Sequence, residues 1–276
     1  MITNLKKKFA FLMAAGLLAG NVGYASPALV EREAIAQVAL LQSLAQGYFG
    51  GTVTVRDLRG LGDVGIGTFE GLNGEMIVLD GTVYQALGDG RVVVADDSVI
   101  IPYATVTFFD DDTCVQLKDI ADKASFETAL NEKVAEYGAN SFYMVKMRAT
   151  FSSILFRSEY GSEKPYPPLA EALKGKQTEF AAKDISGTLV GLYCPNYMGG
   201  LNTPGWHFHF ISDDRKQGGH ILELSLKEGT IHFDKTDKFN MVLHDDKNFH
   251  TMNLAKDMSE DIRIAEHDTQ ADMADR

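Results

Sequence analysis

The sequence has little that would cross-link or anchor a small protein. Its only two cysteines, Cys114 and Cys194, are too few for the disulfide framework of a small secreted scaffold. They lack a metal-like spacing, so we interpret both as structural and leave a disulfide between them open. Beyond the N-terminus, no segment approaches the roughly 18 apolar residues of a membrane span. A chain of 276 residues can instead bury a core that stabilises itself.

Positive charge is also scarce. The chain has 26 Lys and Arg residues against 38 Asp and Glu residues, which gives a formal net charge of -12 at pH 7. Such an acidic chain is a poor candidate for binding nucleic acid or anionic lipid. A site for a small anionic molecule must therefore be built locally, against the overall field of the protein.

The N-terminus has the pattern of a bacterial secretory signal peptide. Lys6, Lys7 and Lys8 precede an apolar stretch over residues 9–19, and small residues stand at Gly23 and Ala25. The pattern predicts a signal peptide over residues 1–25 and export to the periplasm or the medium. The alternative is an uncleaved membrane anchor. After cleavage we expect a soluble protein with no membrane partner.

The pattern of turns and apolar residues predicts an α+β fold. Asn73-Gly74, Asp80-Gly81 and Asp89-Gly90 are strong hairpin signals and predict a meander of strands over residues 52–109. Apolar periodicity predicts helices over residues 27–46, 117–137, 169–176 and 259–266. It predicts strands over residues 141–156, 179–193, 206–211, 220–226 and 230–233.

Strands that come in runs favour mixed and antiparallel sheets over strict βαβ alternation. We therefore expect a two-layer arrangement of such sheets with a few helices. We also expect two subdomains, a β-rich one over residues 26–160 and a metal-binding one over residues 161–276. The boundary is placed near the proline-rich segment 164–168.

The most informative motif is Gly-Trp-His-Phe-His-Phe at residues 205–210, followed by Gly218-Gly219-His220. Residues two apart on a strand point the same way, so His207 and His209 share one face and the phenylalanines the other. The polar segment 213–219 should turn the chain and return His220 opposite His209, with Cβ atoms about 4.5–5.5 Å apart.

Three neutral imidazoles leave a divalent cation with open positions, which is typical of catalytic rather than structural sites. We predict one Zn²⁺ per chain, although the same ligands could hold other first-row metals. A single histidine on a strand is more often an ordinary surface or core residue, and the prediction depends on all three. The histidines without this arrangement are predicted to lie on the surface: His232, His244, His250 and His267.

With these residues in view, the sequence resembles the acetolactate decarboxylase family. Residues 202–212, 214–216 and 218–220 (NTPGWHFHFIS, DRK and GGH) closely resemble its metal-binding region. Residues 61–63, 65–69 and 73–75 (LGD, GIGTF and NGE) resemble its N-terminal signature. Arg157-Ser158, followed by Lys164-Pro165-Tyr166, resembles its central one. The resemblance runs from about Gln46 to His267.

The resemblance implies a carboxy-lyase that converts 2-acetolactate to acetoin and CO2 through a metal-stabilised enediolate. It also implies a homodimer. Its zinc ligands match His207, His209 and His220, and its active-site residues match Thr68, Glu75 and Arg157. The family's C-terminal glutamate is best matched by Glu266, with Glu260 as the alternative.

These residue types are suited to the decarboxylation of acetolactate. Acetolactate is a β-keto acid with a neighbouring hydroxyl, and a bound metal can accept the electrons that loss of CO2 leaves behind, without pyridoxal or thiamine. An arginine can hold the departing carboxylate, and a carboxylic acid can supply the final proton. Each residue also has an ordinary explanation. Thr68 could be a plain strand residue, Glu75 a solvated turn residue, and Arg157 a surface arginine paired with Glu159.

Two other functions stay open on the sequence. One is another metal-dependent lyase or isomerase of β-keto acids. The other is a periplasmic metal-binding protein, which would need neither Glu75 nor Arg157 beside its metal.

Overall fold

Two sheets carry most of the chain in the computed structural model, which describes residues 31–267. The predicted signal peptide, residues 1–25, lies outside the described residues. The strands are β1 Ala34–Val38, β2 Val53–Thr54, β3 Val64–Thr68, β4 Glu75–Leu79, β5 Thr82–Ala86, β6 Val92–Val94, β7 Ile100–Ile101, β8 Tyr103–Thr107, β9 Thr113–Ile120, β10 Phe142–Glu159, β11 Gln177–Cys194, β12 Gly205–Ser212, β13 Gly218–Thr236 and β14 Lys238–Val242. The α-helices are α1 Leu41–Ala45, α2 Val55–Arg59, α3 Lys123–Tyr137, α4 Leu169–Leu173, α5 Lys247–Thr251 and α6 Ser259–His267.

The first sheet has seven strands in the order β14-β1-β8-β3-β4-β5-β6. The sheet is mixed, because β1 pairs with β14 in parallel, whereas every other pair of neighbouring strands in it is antiparallel. The β4–β5 hairpin turns at Asp80-Gly81, where both residues have positive φ angles of 49° and 78°. Such backbone angles are what a two-residue hairpin turn needs, which is why Asp-Gly predicts it well.

The second sheet has the order β10-β11-β12-β13-β9 and closes on itself. β10 pairs with β11 along one edge and with β13 along the other, while β12 pairs with both β11 and β13. Trp206, Phe208 and Phe210 of β12 lie in one apolar core with Phe126 of α3. The side chains that alternate with them, His207 and His209, therefore face the other way.

The two sheets pack against each other through a second apolar core. Ile66 and Ile77 of the first sheet lie in one cluster with Val190 and Ile211 of the second. Glu75 is on the same face of β4 as Ile77, since side chains two apart on a strand share a face. This packing brings Glu75 toward the histidine face of β12.

The fold class is confirmed as α+β, with one mixed sheet, one five-stranded antiparallel sheet, a two-stranded antiparallel sheet of β2 and β7, and few helices among residues 31–267. Each predicted strand from residue 141 onward is found, although residues 220–226 and 230–233 belong to one long strand, β13. The predicted helices at 169–176 and 259–266 correspond to α4 and α6. The subdomain boundary near residue 160 stays a prediction. It falls between β10 and β11, two paired strands of one sheet.

The helix predicted over residues 27–46 is wrong for most of the part that the structure describes. Residues 34–38 form β1, and only Leu41–Ala45 are helical. All five residues of β1 are buried, because its two faces pack into different apolar cores, Ile35 into the core between the sheets and Ala36 and Val38 into another. Full burial removes the alternation that marks a half-exposed strand, and the remaining spacing of Ile35, Val38 and Leu41 imitates a helix.

The helix predicted over residues 117–137 begins too early. Residues 113–120 form β9, and α3 starts at Lys123, after Asp122 caps it by accepting from the Ser125 N–H at 2.7 Å. The buried stripe of α3 contains Phe126, Leu130 and Val134, as the periodicity predicts. The sequence therefore located this helix but missed the cap that sets its start.

Cys114 and Cys194 are both free, so no disulfide joins them. Cys114 is exposed on β9 and Cys194 is buried at the end of β11. Across residues 31–267, none of the helices combines the length and the apolar character of a membrane span.

His244 is fully buried, so the prediction of a surface position is wrong for this histidine. Its Nδ1 accepts a hydrogen bond from the Thr52 N–H at 3.1 Å, and its Nε2 lies 2.9 Å from the Pro102 carbonyl and must donate to it. Burial lowers the pKa of His244, because the charged form would be desolvated and would lose the acceptor nitrogen. His232 is partly exposed beside Asp111, and His250 is exposed. The side chain of His267 lies outside the description.

The buried imidazole of His244 predicts acid-sensitive stability. As pH falls below about 6.5, the unfolded chain protonates this histidine while the folded protein does not, so the free energy of unfolding falls with pH. His244→Asn should lower stability near neutral pH by about 1–3 kcal/mol, because a buried partner is left unsatisfied. It should also flatten the dependence on pH. Urea unfolding between about pH 8 and pH 5 checks both effects. His250→Asn is the exposed control, and an unchanged slope in His244→Asn would contradict the prediction.

Candidate active site

The three predicted histidines meet between the sheets. His209 on β12 is directly opposite His220 on β13, as the glycine turn predicts. His207 Nε2 lies 3.1 Å from His209 Nε2 and 2.9 Å from His220 Nδ1. One ring nitrogen of each histidine lies within 4.8 Å of the others. This is a group that could hold a metal ion.

The outer nitrogens of the three rings decide where the protons sit. His209 Nδ1 lies 2.7 Å from the Met76 carbonyl, and His220 Nε2 lies 3.0 Å from the Glu266 carbonyl. A carbonyl oxygen only accepts, so each of these nitrogens must carry a proton and donate it. His207 Nδ1 lies 3.2 Å from Glu266 Oε2, a carboxylate oxygen that also accepts. The inner nitrogens of all three rings are therefore left with lone pairs.

The donor set fits a divalent cation. Burial lowers the pKa values of His209 and His220 far below the usual range, and the neighbouring His207 and Arg157 lower them further. Both rings are then neutral, as metal ligands must be. The inner nitrogen of His207 lies 3.1 and 2.9 Å from those of His209 and His220, so the lone pairs repel one another, and a cation between them converts that repulsion into coordination. Carbonyl and carboxylate partners on the outer nitrogens are the usual support of metal-binding histidines.

Glu75 and Thr68 lie beside this group. They are directly opposite each other on β4 and β3. Glu75 Oε2 is 3.3 Å from His209 Nε2, and the side chain is buried, which excludes the solvated turn residue considered from the sequence. The Thr68 hydroxyl donates to the Gly74 carbonyl at 2.9 Å and so closes the turn that presents Glu75.

Arg157 is on β10, directly opposite His220 on β13. Its side chain is only 3% exposed, so it is not a surface arginine, although it does pair with Glu159 at an Nε–Oε1 distance of 3.9 Å. Its Nη2 donates to the Ala265 carbonyl of α6. Arg157 thus ties β10 to the helix that carries Glu266.

Glu159 is a site residue that the sequence reasoning did not select. It is buried, and Glu75 donates a hydrogen bond to it. Burial and the nearby Glu159 raise the pKa of Glu75 well above its usual range, because a second negative charge here would be desolvated and repelled. The sequence did carry a signal for Glu159, because it lies two residues after Arg157 and so shares a face of β10 with it.

The two candidates for the C-terminal glutamate differ in position. Glu266 ends near the histidines, where both its carboxylate and its carbonyl contact ring nitrogens. Glu260 lies at the exposed start of α6 and pairs with Arg263. The geometry therefore favours Glu266.

A cavity joins these groups. Its polar side holds the histidines, Thr68, Glu75, Arg157, Glu159 and Glu266. Its apolar side is formed by α1, α4 and the β3–β4 turn through Leu41, Leu44, Leu72, Leu169 and Leu173. The sequence did not indicate this wall, because it assembles from short segments far apart in the chain.

Comparison with known proteins points to the same family as the sequence motifs of the site. A sequence model of a family described as "Alpha-acetolactate decarboxylase" matches residues 35–256. A relative of that name from Methanosarcina mazei is 39% identical over 230 residues, covering 83% of this chain and 79% of the relative. One from Methylococcus capsulatus is 35% identical over 237 residues, covering 86% and 90%.

The fold is likewise similar to a solved structure. The crystal structure of alpha-acetolactate decarboxylase from Bacillus subtilis strain 168 superimposes with a TM-score of 0.82 at 31% identity, covering 85% of this chain and 100% of that one. The family predicted from the motifs, and with it the prediction of an enzyme, is confirmed. This chain belongs to the alpha-acetolactate decarboxylase family.

Proposed function

We propose that this protein decarboxylates 2-acetolactate to acetoin and CO2 with the help of a divalent metal held by His207, His209 and His220. The proposal is carried by the acceptors at the outer nitrogen of each imidazole, which leave the three inner nitrogens free to bind a metal. These nitrogens lie in one cavity with the buried side chains of Glu75 and Arg157. A pure metal-capture site has no need for a buried carboxylic acid and a buried arginine.

Arg157 binds the substrate carboxylate. It is the only lysine or arginine among the described residues that line the cavity. Its guanidinium group offers donors in a planar fork that matches a carboxylate. Its bond to the Ala265 carbonyl and its contact with Glu159 hold the group in place before the substrate arrives. Pre-positioned donors lower the entropy cost of binding.

The metal, with Zn²⁺ as the first choice, would supply the positive charge that stabilises the enediolate left when CO2 departs. The chain's own residues do the rest. The apolar leucines exclude water from one side of the cavity, and the buried histidines keep one orientation because their outer protons are fixed.

Glu75 supplies the proton that completes the product. Its raised pKa keeps the carboxyl group protonated near neutral pH. After the carbon–carbon bond to the carboxylate breaks, the electron pair stays on the substrate carbon, and the Glu75 proton is delivered there. Glu159 holds that proton between turnovers by accepting the hydrogen bond from Glu75. Solvent then restores the proton.

The function is tested by CO2 release from 2-acetolactate. The purified protein should release one CO2 and one acetoin per substrate, and a chelator should abolish the reaction until a divalent metal is added back. His209→Ala should lower both bound metal and turnover, because one of three protein ligands is lost. His232→Ala, a partly exposed histidine on β13, is the matched control. Full activity of the metal-free protein would reject the metal, and no CO2 release by the metal-loaded protein would reject the function.

Glu75→Gln tests the proton donor. The amide keeps the shape but has no exchangeable acid, so kcat should fall by about 10²–10⁴-fold, the usual contribution of a general acid. Bound metal should stay near the wild-type level, because Glu75 is not one of the proposed ligands. Glu70→Gln, an exposed residue in the same turn, should leave kcat unchanged. If Glu75→Gln kept more than about half of wild-type kcat, proton delivery would have to come from another group.

Glu266→Gln tests the support of the metal ligands. Loss of the carboxylate that accepts from His207 Nδ1 should weaken divalent metal binding by about 10- to 100-fold. Titration with a competing chelator measures this without any turnover. Glu260→Gln on the same helix should leave the affinity unchanged, because Glu260 pairs with Arg263 at the surface. The reverse outcome would transfer the role to Glu260.

A further inference from the structure

Tyr103 lies in the cavity next to the groups already described. It is the first residue of β8, and it is directly opposite Thr68, which in turn is directly opposite Glu75. Directly opposite residues on neighbouring strands point to the same face of a sheet. Tyr103, Thr68 and Glu75 therefore form one row across three strands, and all three line the cavity.

The Tyr103 hydroxyl is buried without a hydrogen-bonding partner among residues 31–267. The side chain is 6% exposed, and no described group lies within hydrogen-bonding geometry of the hydroxyl oxygen. A buried hydroxyl that bonds neither protein nor water destabilises the folded state. Phenylalanine would fill the same space without that cost. A hydroxyl at this position is therefore explained best by a partner that enters the cavity.

The other hydroxyls of the cavity are already engaged. Thr68 donates to the Gly74 carbonyl. The Thr105 hydroxyl accepts from Asn202 Nδ2 at 3.1 Å and lies 3.5 Å from Gln37 Oε1, so it belongs to a buried amide network. Thr105 is also close enough to Tyr103 to affect the pKa of that side chain. Burial raises the pKa of Tyr103 well above its usual range, so its hydroxyl keeps its proton and acts as a donor.

We propose that Tyr103 donates a hydrogen bond to the carboxylate of the bound 2-hydroxy-3-oxo acid and shares this carboxylate with Arg157. The assignment rests on the proposed function for the identity of the substrate. It follows from charge, because Glu159 and Glu266 line the same cavity beside the protonated Glu75 and make it unfavourable for an anion. A carboxylate entering there needs more donors than Arg157 alone, and it is the strongest acceptor on such a substrate.

A donor to the carboxylate should act on binding rather than on the chemical step. The carboxylate loses its charge as it becomes CO2, so a hydrogen bond to it is strongest in the ground state and weakens toward the transition state. Tyr103→Phe should therefore raise KM by about 10- to 100-fold, the size expected for a lost bond to a charged acceptor, and should leave kcat unchanged or higher. A donor to the ketone oxygen would instead lower kcat.

The experiment compares Tyr103→Phe with Tyr143→Phe in the metal-loaded protein. Tyr143 is a second buried tyrosine, but its hydroxyl donates to the Gly138 carbonyl at 2.9 Å, away from the cavity. We expect Tyr143→Phe to lower Tm and to leave KM unchanged. We expect Tyr103→Phe to raise KM without lowering Tm, because the folded protein loses an unsatisfied hydroxyl rather than a bond. A fall in Tm with unchanged KM would show that Tyr103 is structural and overturn the proposal.

Two binding probes separate this inference from the proposed function. Calorimetric titration with 2-hydroxy-2-methylpropanoate, an acid that has no ketone and cannot be turned over, should show a weaker Kd in Tyr103→Phe whether or not the wild-type protein releases CO2. Acetoin, which lacks the carboxylate, should bind both proteins equally. Equal Kd values for the acid, or a matching loss for acetoin, would overturn the role at the carboxylate. Absence of CO2 release from wild type would reject the proposed function alone.

Discussion

The site depends on where three imidazole protons are held. The Met76 carbonyl accepts from the outer nitrogen of His209. The backbone carbonyl of Glu266 accepts from His220, and the carboxylate of Glu266 accepts from His207. Only this arrangement turns all inner lone pairs toward one point. Met76 belongs to the first sheet and Glu266 to the last described helix, while the histidines belong to the second sheet. The packing of the two sheets and of α6 is therefore what turns three strand residues into a group that could hold a metal ion.

This dependence explains why the polar groups of the site lie at the contact between layers. β4 contributes two neighbouring residues to the site. The backbone carbonyl of Met76 orients the His209 ring, and the Glu75 carboxyl group lies 3.3 Å from His209 Nε2. On the other side, Arg157 links β10 to α6, since it is opposite His220 in register and bonds to Ala265 next to Glu266. A shift of β4 by one residue would move Glu75 to the other face of its sheet.

The sequence predicted the parts of the site that local rules govern. The period of two separates His207 and His209 from Trp206 and Phe208, and the glycine turn brings back His220, so the histidine group could be located from spacing alone. β1 could not be recognised, since both of its faces are covered by apolar residues from distant parts of the chain. His244, Glu159 and Tyr103 were missed for a related reason. Their environment is set by residues remote in sequence, and each looks ordinary among its neighbours.

An acidic protein that binds an anion must solve an electrostatic problem in the cavity itself. Three glutamates and one arginine line it, which would repel a carboxylate if all the glutamates were charged. The hydrogen bond from Glu75 to Glu159 removes one of these charges, because two desolvated carboxyl groups in contact retain a proton between them. In the proposed reaction, the proton that lowers the repulsion during binding is the same proton that is later delivered to the product. The proposed reaction therefore couples substrate affinity to proton delivery through one pair of side chains, so that a change at either glutamate should affect both.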